Sequence, residues 1–380
     1  MRLSSVFNQA IHGLMVRYVQ HIYRKGIKER KNEIPEIFPK VSDQIRREHV
    51  RLWGKLGYKV NDGWLRQQIG LSGILDPRFC PEDLFYTVIE RCLNHCDASG
   101  SGIENKIDSL FFIPKKYQPK IILSYMRGVF FDGDMNPITY KQAEDLLKAY
   151  KGEVIGKPAL FSSGGKGVQL FFSDGASIKK TSSGHTLSAD WIQKNQTAYV
   201  VQERIIQEER ISALNPNSLN TCRMMTFRRP WSGEVSVIGA MLRIGGGTSC
   251  VDNITSGGVS IGIRRDGMLA PFYTDYHLNK YKEHPRIPGN LEQFLIPHYS
   301  EMVQAVCECA KKIPSFNLLG FDIVMRNNLV PCIIEVNATA QACQELQMTG
   351  PLFGDETERV IDWCVEHKRF DMFNHFRTFY

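Results

Sequence analysis

No stretch of this 380-residue chain reaches the roughly 18 to 20 uncharged apolar residues that a membrane helix needs, so no transmembrane helix is expected. No secretory leader is expected either, because the apolar positions near the start are interrupted by Asn8, Gln9, His12 and Arg17. The ten cysteines include no CxxC pair. The closest, Cys92/Cys96 and Cys307/Cys309, lack the spacing of zinc or redox sites and read as small buried hydrophobes in a reducing compartment. The expected location is therefore the cytoplasm. Zinc fingers, RNP-like aromatic motifs and long Lys/Arg blocks are also missing, which argues against a nucleic-acid partner. There is no convincing Ser/His/Asp or Cys/His arrangement, and His185 and His277 stand alone and read as structural.

What is present is an ordinary soluble composition, 43% hydrophobic and 23% charged, which supplies ample material for a core. At roughly 150 residues per domain, two to three folding units are expected. The net charge of +7 suits an anionic ligand such as a nucleotide.

Residues 1–150 read as mostly helical. Leu3, Val6, Phe7, Ala10, Ile11, Leu14, Met15, Tyr18, Val19 and Ile22 recur every three to four residues and run into the basic stretch from Arg24 to Lys31. This amphipathic helix reads either as packing on its own domain or as lying on a membrane surface or a partner. Ser42 is placed to cap a second helix through Ile45, Leu52, Trp53 and Leu56. A third helix fits Leu84–Leu93, entered through Pro81, and Thr139 with Gln142 makes a capping box for Tyr140–Tyr150.

From about residue 152 to 337 the texture changes to short β-rich runs between Gly-rich or Asx turns: 154–155, 168–172, 198–206, 223–227, 235–244, 258–263, 320–325 and 329–336. Helices intervene at Ala189–Asn195 and Leu291–Lys312, and residues 338–380 return to helix. Few strands alternate strictly with helices, so the pattern is α+β and not a Rossmann unit. No internal repeat is visible.

Two segments carry chemistry. In VIGKPALFSSGGKGVQLFF a strand ends in Lys157-Pro158, a small-residue loop follows, and a strand begins at Val168. Glycines let backbone N–H groups approach phosphate oxygens closely, and such loops form anion-binding nests. The loop joins two strands, unlike a Walker A loop that opens a helix, and so reads as a hairpin lid with Lys157 as a point charge beneath it. A plain β-hairpin with a polar turn is the competing reading.

The second segment, LGFDIVMRNNLVPCIIEVN, is a hairpin whose apolar strands carry only Asp322, Glu335 and Asn337 as strongly polar residues. Carboxylates among such neighbours need a cationic partner, and hard oxygen donors suit magnesium held jointly with substrate phosphates. Glu335 and Asn337 share a strand face. A two- or four-residue turn puts Asp322 on that face, and a three-residue turn does so only with a bulge at Pro331. The competing reading is a hairpin with edge charges paired to an arginine.

Together these segments resemble the ATP-grasp superfamily, and more narrowly its sugar-transfer-associated group, whose relatives include glutamate-ligase-like enzymes. VIGKP resembles the phosphate-lysine strand, SSGGKGV the glycine lid and VVQERI the adenine hinge. LNTCRMMTF resembles the NTxRxxT stretch, MLRIGGG with VDNITSGGV the arginine and asparagine segment, and LGFDIVM with IIEVN the magnesium strands. The matching pieces keep the family's order across roughly residues 100–350.

The resemblance implies an α+β ATP-grasp fold of two lobes gripping ATP. A mostly helical region would span 1–100 and the first lobe with its lid 101–205. The second lobe with the metal site would span 206–345, and a helical segment 346–380. Lys157, Gly164, Gly165, Lys166, Gly167 and Lys106 would hold phosphates, and Gln202, Glu203 and Ile205 would meet adenine. Asp322, Glu335 and Asn337 would bind Mg2+, with Mn2+ as the alternative ion. Arg223 and Arg243 would stabilise the transferring phosphoryl group and Asn253 would orient it.

The implied activity is an ATP-dependent carboxylate–amine ligase that forms an amide through an acyl phosphate and releases ADP and phosphate, with glycan or natural-product precursors as substrates. A kinase acting on a hydroxyl, or a non-catalytic ATP-binding interaction module, are the alternatives. Small-molecule carboxylate and amine substrates are the expected partners, and a homodimer is among the assemblies the resemblance allows.

Overall fold

A computed structural model describes residues 3–94, 102–160, 165–247, 257–287, 289–339 and 341–367 of the chain. It opens with helices α1 (Leu3–Glu33), α2 (Asp43–Gly54) and α3 (Gly63–Ser72). Ser42 accepts a hydrogen bond from the Ile45 N–H at 3.4 Å, satisfying one of the first-turn donors that a helix leaves unpaired. The helix expected at Leu84–Leu93 is present but irregular. It is α-helical over Glu82–Leu84 and Glu90–Asn94 and widens to a π turn over Phe85–Ile89, where the Thr87 hydroxyl bonds back to the Asp83 carbonyl.

The largest departure from expectation lies at residues 121–138, within the stretch read as mostly helical. Here the chain forms β1 (Ile121–Met126), β2 (Val129–Phe131) and β3 (Pro137–Ile138). β1 is a short continuous buried run, a pattern that periodicity cannot assign to helix or strand. Its pairing with β8 (Ala198–Glu203) decides the matter. Between them the Tyr140–Ala149 helix starts at the expected Thr139/Gln142 capping box.

β4 (Lys151–Pro158), β5 (Gln169–Asp174), β6 (Ile178–Lys180) and β7 (Thr186–Leu187) complete an eight-stranded sheet of order β3-β2-β1-β8-β4-β5-β6-β7. Its apolar face, including Leu123, Val154, Phe171 and Val201, is buried with Ala143 and Leu147 of the Tyr140–Ala149 helix and Ile192 of the Ala189–Asn195 helix.

The second sheet has seven strands in the order β13-β12-β11-β10-β9-β14-β15. They are β9 (Thr221–Arg228), β10 (Val235–Ile244), β11 (Val259–Ile263), β12 (Leu269–Thr274), β13 (Lys280–Tyr281), β14 (Leu318–Met325) and β15 (Pro331–Asn337). A single long helix expected at Leu291–Lys312 is not found. Leu291–Gln293 is one 3-10 turn and the α-helix covers only Tyr299–Lys311. Pro297 cannot continue a helix from the preceding turn, and Leu295 is drawn into a bridge with Met268.

The two faces of this sheet differ. Cys222, Met224, Leu242, Phe321, Ile323 and Val336 point to one side, into a core with Met302, Ala305, Val306 and Cys309 of the Tyr299–Lys311 helix. On the other side Met225, Phe227, Met241 and Leu318 pack against Leu52, Trp53, Leu84 and Phe85 of the N-terminal helices and Val360 of the Thr357–Glu366 helix. Burial is worth roughly 1.5–3 kcal/mol for each such side chain, so this shared cluster holds the N-terminal helices to the sheet. They cover only part of the face.

Candidate active site

Where that cover stops, the same sheet face turns polar. Arg223 and Met241 are register partners, as are Arg223 and Asp322, and Asp322 and Glu335. Direct cross-strand partners point to the same side, so Arg223, Asp322 and Glu335 form one rung across β9, β14 and β15.

The register that makes this rung has a specific cause. β14 and β15 meet at Met325 and Pro331 around a five-residue connection, and by simple alternation Asp322 would face Ile334. A bulge between Asp322 and Ile323 on one side and Glu335 and Ile333 on the other makes Ile334 the extra residue. Neither an even turn nor a bulge at Pro331 does the work. The one-residue insertion at Ile334 swings Glu335 and Asn337 onto the face of Asp322.

Asp322 is 7% exposed and is held from two sides. The Arg223 Nε and its second terminal nitrogen donate to Oδ1 and Oδ2 at 2.6 and 2.9 Å, and Arg243 reaches Oδ1 at 3.4 Å. Burial opposes ionisation of this carboxyl, and the Arg223 and Arg243 guanidiniums outweigh it, holding Asp322 below the usual carboxylate range. Glu335 receives the Lys106 ammonium at 3.1 Å.

Lys106 comes from the segment that leads into the first sheet, and its N–H bonds to the Ala159 carbonyl just after β4. Two residues earlier, Glu104 accepts from the Ala338 and Thr339 N–H groups and the Thr339 hydroxyl at 3.1, 2.9 and 2.7 Å, pinning the exit of β15.

From the opposite sheet comes Lys157, 6% exposed on β4. Burial first, and then the neighbouring Lys106 charge, push its ammonium down to about 8, with Glu335 acting in the other direction. A lysine so destabilised in its charged form is a place for an anion. Among the described residues Arg223 and Arg243 pair with Asp322 and Lys106 with Glu335, and Lys157 stands beside Lys106 and Glu335.

Beyond Asp322 on the same face lies Gly320, opposite Asn337. A Cβ there would stand 2.2 Å from Gln341 Oε1 and 3.1 Å from an Arg223 terminal nitrogen. Gln341 is fully buried and donates to the Asn337 carbonyl at 2.8 Å. Its Oε1 and the Asn337 Nδ2 are buried without a hydrogen-bond partner. Gly320, Gln341 and Glu104 escaped the sequence reading. Each acts through a neighbour distant in sequence, and only Gly320, inside an apolar strand, left any signal at all.

The lid connects two antiparallel strands, β4 and β5, as a hairpin. Gly165 and Gly167 have φ of 72° and 79°, and a Cβ on Gly167 would lie 2.8 Å from Pro158 Cγ, so both positions require glycine. Lys166 is exposed between them. Gly164 and Asn253 lie outside the described residues.

At the hinge, Gln202 is 3% exposed with its Oε1 lacking a partner, while Glu203 accepts from the Tyr150 hydroxyl at 3.1 Å and pairs with Lys120 at 3.5 Å. Ile205 is half-buried, and beyond it an open groove of about 620 Å³ is lined by Ile206, Gln207, Glu208, Ser212 and Asn327. This groove adjoins the hinge, not the charged rung. The structure thus brings Arg223, Arg243, Asp322, Glu335 and Lys106 into one set of ion pairs, with Lys157 beside Lys106 and Glu335 and with Asn337 on the same strand face as Glu335.

The donor set fits a hard divalent cation. Glu335 and the Asn337 amide offer oxygens from one face of β15, and Asp322, paired to Arg223, sits directly across from Glu335. Among the described residues no group of three His, Cys, Asp or Glu side chains is placed to hold an ion by itself. A cation here would be completed by phosphate oxygens.

A family model described as sugar-transfer associated ATP-grasp matches residues 111–357. None of the curated proteins matches the chain. Among solved structures, the biotin carboxylase domain of 2-oxoglutarate carboxylase from Hydrogenobacter thermophilus is 11% identical, with 70% of this chain and 45% of that chain covered at a TM-score of 0.38. An L-amino acid ligase from Bacillus licheniformis is 10% identical over 70% and 49% at 0.37, and a D-alanine–D-alanine ligase from Bacillus anthracis 11% identical over 70% and 66% at 0.35. The chain spans about half the length of the first solved structures it resembles.

Proposed function

Since this chain belongs to the sugar-transfer associated ATP-grasp family, we propose that it binds ATP between its two sheets and uses the γ-phosphate to activate a carboxylate, which an amine then attacks to form an amide. The observation that carries this reading is the gathering of four cationic side chains, buried Lys157 and Arg223 with half-buried Lys106 and Arg243, at a cross-strand pair of carboxylates. A polyphosphate has the charge and the oxygens to meet such a cluster.

Lys157 and Lys106 fix the phosphates from the first sheet, and the N–H groups around Gly165 and Gly167 close over them. Asp322, Glu335 and Asn337 would hold Mg2+ or Mn2+, which when bound supplies charge neutralisation between phosphate oxygens. Arg223 and Arg243 balance charge on the phosphoryl group in flight and on the acyl phosphate that results. The carboxylate oxygen forms the new bond to phosphorus as the bond to ADP breaks. The amine then displaces phosphate and loses its proton to solvent. No protein nucleophile takes part. Gln202, Glu203 and Ile205 are assigned to adenine, and closure of the lid excludes water from the acyl phosphate.

A phosphate-release screen tests this, with ATP, magnesium, a panel of carboxylates including sugar acids, and a panel of amines. ADP and free phosphate should form in equal amounts only when both acceptors are present, and Glu335→Gln should abolish the signal. Phosphate retained on the product would instead assign a kinase, and full turnover by Glu335→Gln would sink the site assignment.

A further inference from the structure

Helix α1 is apolar on two opposite faces. Val16, Val19, Gln20 and Ile27 are 3%, 3%, 3% and 5% exposed. Ile27 belongs to a core with Trp64, Phe272 and Met348, against which Tyr23 also packs. This inward face fixes the helix rigidly to the body of the protein. Leu14, Tyr18 and Ile22 stand at four-residue intervals on the other side, 64%, 61% and 49% exposed. Such spacing keeps them on one line along the helix. Among the described residues nothing covers them, and contiguous exposed apolar side chains of this size mark a contact surface.

The charge around the stripe identifies the contact. Residues 1–28 contain no Asp or Glu, while Arg2, Arg17, Arg24, Lys25 and Lys28 are all cationic. Arg17, Lys25 and Lys28 are exposed beside the stripe, and the first acid, Glu29, lies 3.8 Å from Lys25. Lysine is depleted in the cores of protein–protein interfaces. Lys and Arg bordering a line of Leu, Ile and aromatic side chains is the composition of helices that lie in the headgroup region of a bilayer, where a tyrosine can keep its hydroxyl wet and its ring apolar.

We infer that the outward face of α1 docks the folded chain onto an anionic membrane surface. Leu14, Tyr18 and Ile22 enter the boundary between headgroups and acyl chains, and Arg17, Lys25 and Lys28 lie against the lipid phosphates. Among the described residues no helix is long and apolar enough to cross a membrane, so the association is peripheral and reversible. It does not depend on the phosphoryl chemistry proposed above.

Co-sedimentation of the full chain with phosphatidylcholine vesicles, with and without phosphatidylserine, tests the inference. Binding should require phosphatidylserine and should fall as salt is raised, because the screening length shrinks from about 10 Å at 0.1 M to about 3 Å at 1 M. Neutralising both lysines, Lys25→Gln with Lys28→Gln, should weaken binding by about fivefold for each. Leu14→Ser with Ile22→Ser should abolish it while circular dichroism and the melting temperature stay unchanged, since both side chains are exposed. Equal binding to neutral vesicles, no binding to either kind, or binding that survives Leu14→Ser with Ile22→Ser would each overturn the assignment. A dimer in sedimentation velocity without lipid, dissolved by that same double variant, would overturn it too by giving the stripe to a second copy.

Discussion

One face of the second sheet carries Phe227 and Leu318 at one end and Arg223, Asp322 and Glu335 at the other, with Met225 and Gly320 between them and Met241 flanking Arg223. The backbone is antiparallel at both ends, with the bulge at Ile334 at the polar one. What differs is the cover. Helices close the apolar end, whereas the polar end faces Lys157 from the first sheet and Lys106 from the segment before it, and depends on charge pairing for its stability. The apolar end repays burial in proportion to area. The polar end carries a desolvation cost that its ion pairs must offset, and buried pairs often do no better than break even. The charged rung is therefore not there for stability.

Making the polar end resemble the apolar one is the strongest way to break the comparison. Asp322→Ala leaves Arg223 buried without its bidentate partner, and by the usual cost of splitting a buried pair should destabilise the fold by roughly 3–5 kcal/mol. The double variant Arg223→Met with Asp322→Leu continues the apolar cover. It should recover most or all of that loss, or gain up to about 4 kcal/mol, because well-packed apolar residues replace buried pairs without penalty. Urea denaturation measures the recovery, and phosphate release should stay at background in both variants. A double variant less stable than Asp322→Ala would show that the pair does stabilise the fold.

At the covered end, Phe227 is fully buried against the rings of Trp231 and Phe353. Phe227→Ala should cost roughly 3–5 kcal/mol, yet leave the KM for ATP unchanged below the melting transition. A KM that rises in step with the lost stability would mean that the two ends are mechanically one unit. Gly320→Ala probes the seam. Its Cβ would force Gln341 and Arg223 apart, an overpacking worth roughly 1–3 kcal/mol, and should lower turnover more than a change of equal stability at Phe227.

How far the sequence foretold this division depends on how local each cause is. Asp322, Glu335 and Asn337 were legible because polar residues on apolar strands are costly wherever they stand. The caps at Ser42 and Thr139 were legible because they act within four residues. The bulge at Ile334 was not, since nothing in PCIIEVN distinguishes the isoleucine that is squeezed out of register from its neighbour. The pairing of Arg223 with Asp322 joins residues 99 apart. The family resemblance makes arginine and carboxylate separate partners of one phosphate, whereas the competing reading pairs the hairpin's charges with an arginine; that Arg223 is the arginine on Asp322 follows only from the strand order. β1 was hidden for a related reason: IILSYM is buried on both sides, and its identity as a strand lies in β8, far along the chain.

The smallest expected effect is also the most specific to the polar end, and it concerns protons. Lys157 titrates near 8 instead of its ordinary 10.5, chiefly because it is buried. The unfolded chain therefore binds more protons than the fold between those values. Stability should rise as pH increases through that window, the reverse of the behaviour of a lysine held by a salt bridge. Phosphates placed beside Lys157 restore the preference for the ammonium, so nucleotide binding near pH 8 should take up a fraction of a proton. Calorimetric titration in buffers of different ionisation enthalpy reads this directly. In Lys157→Met the uptake should vanish and the affinity should lose its fall above pH 8. Proton uptake of the same size in that variant would move the titrating group elsewhere, and with it the claim that Lys157 faces the phosphates.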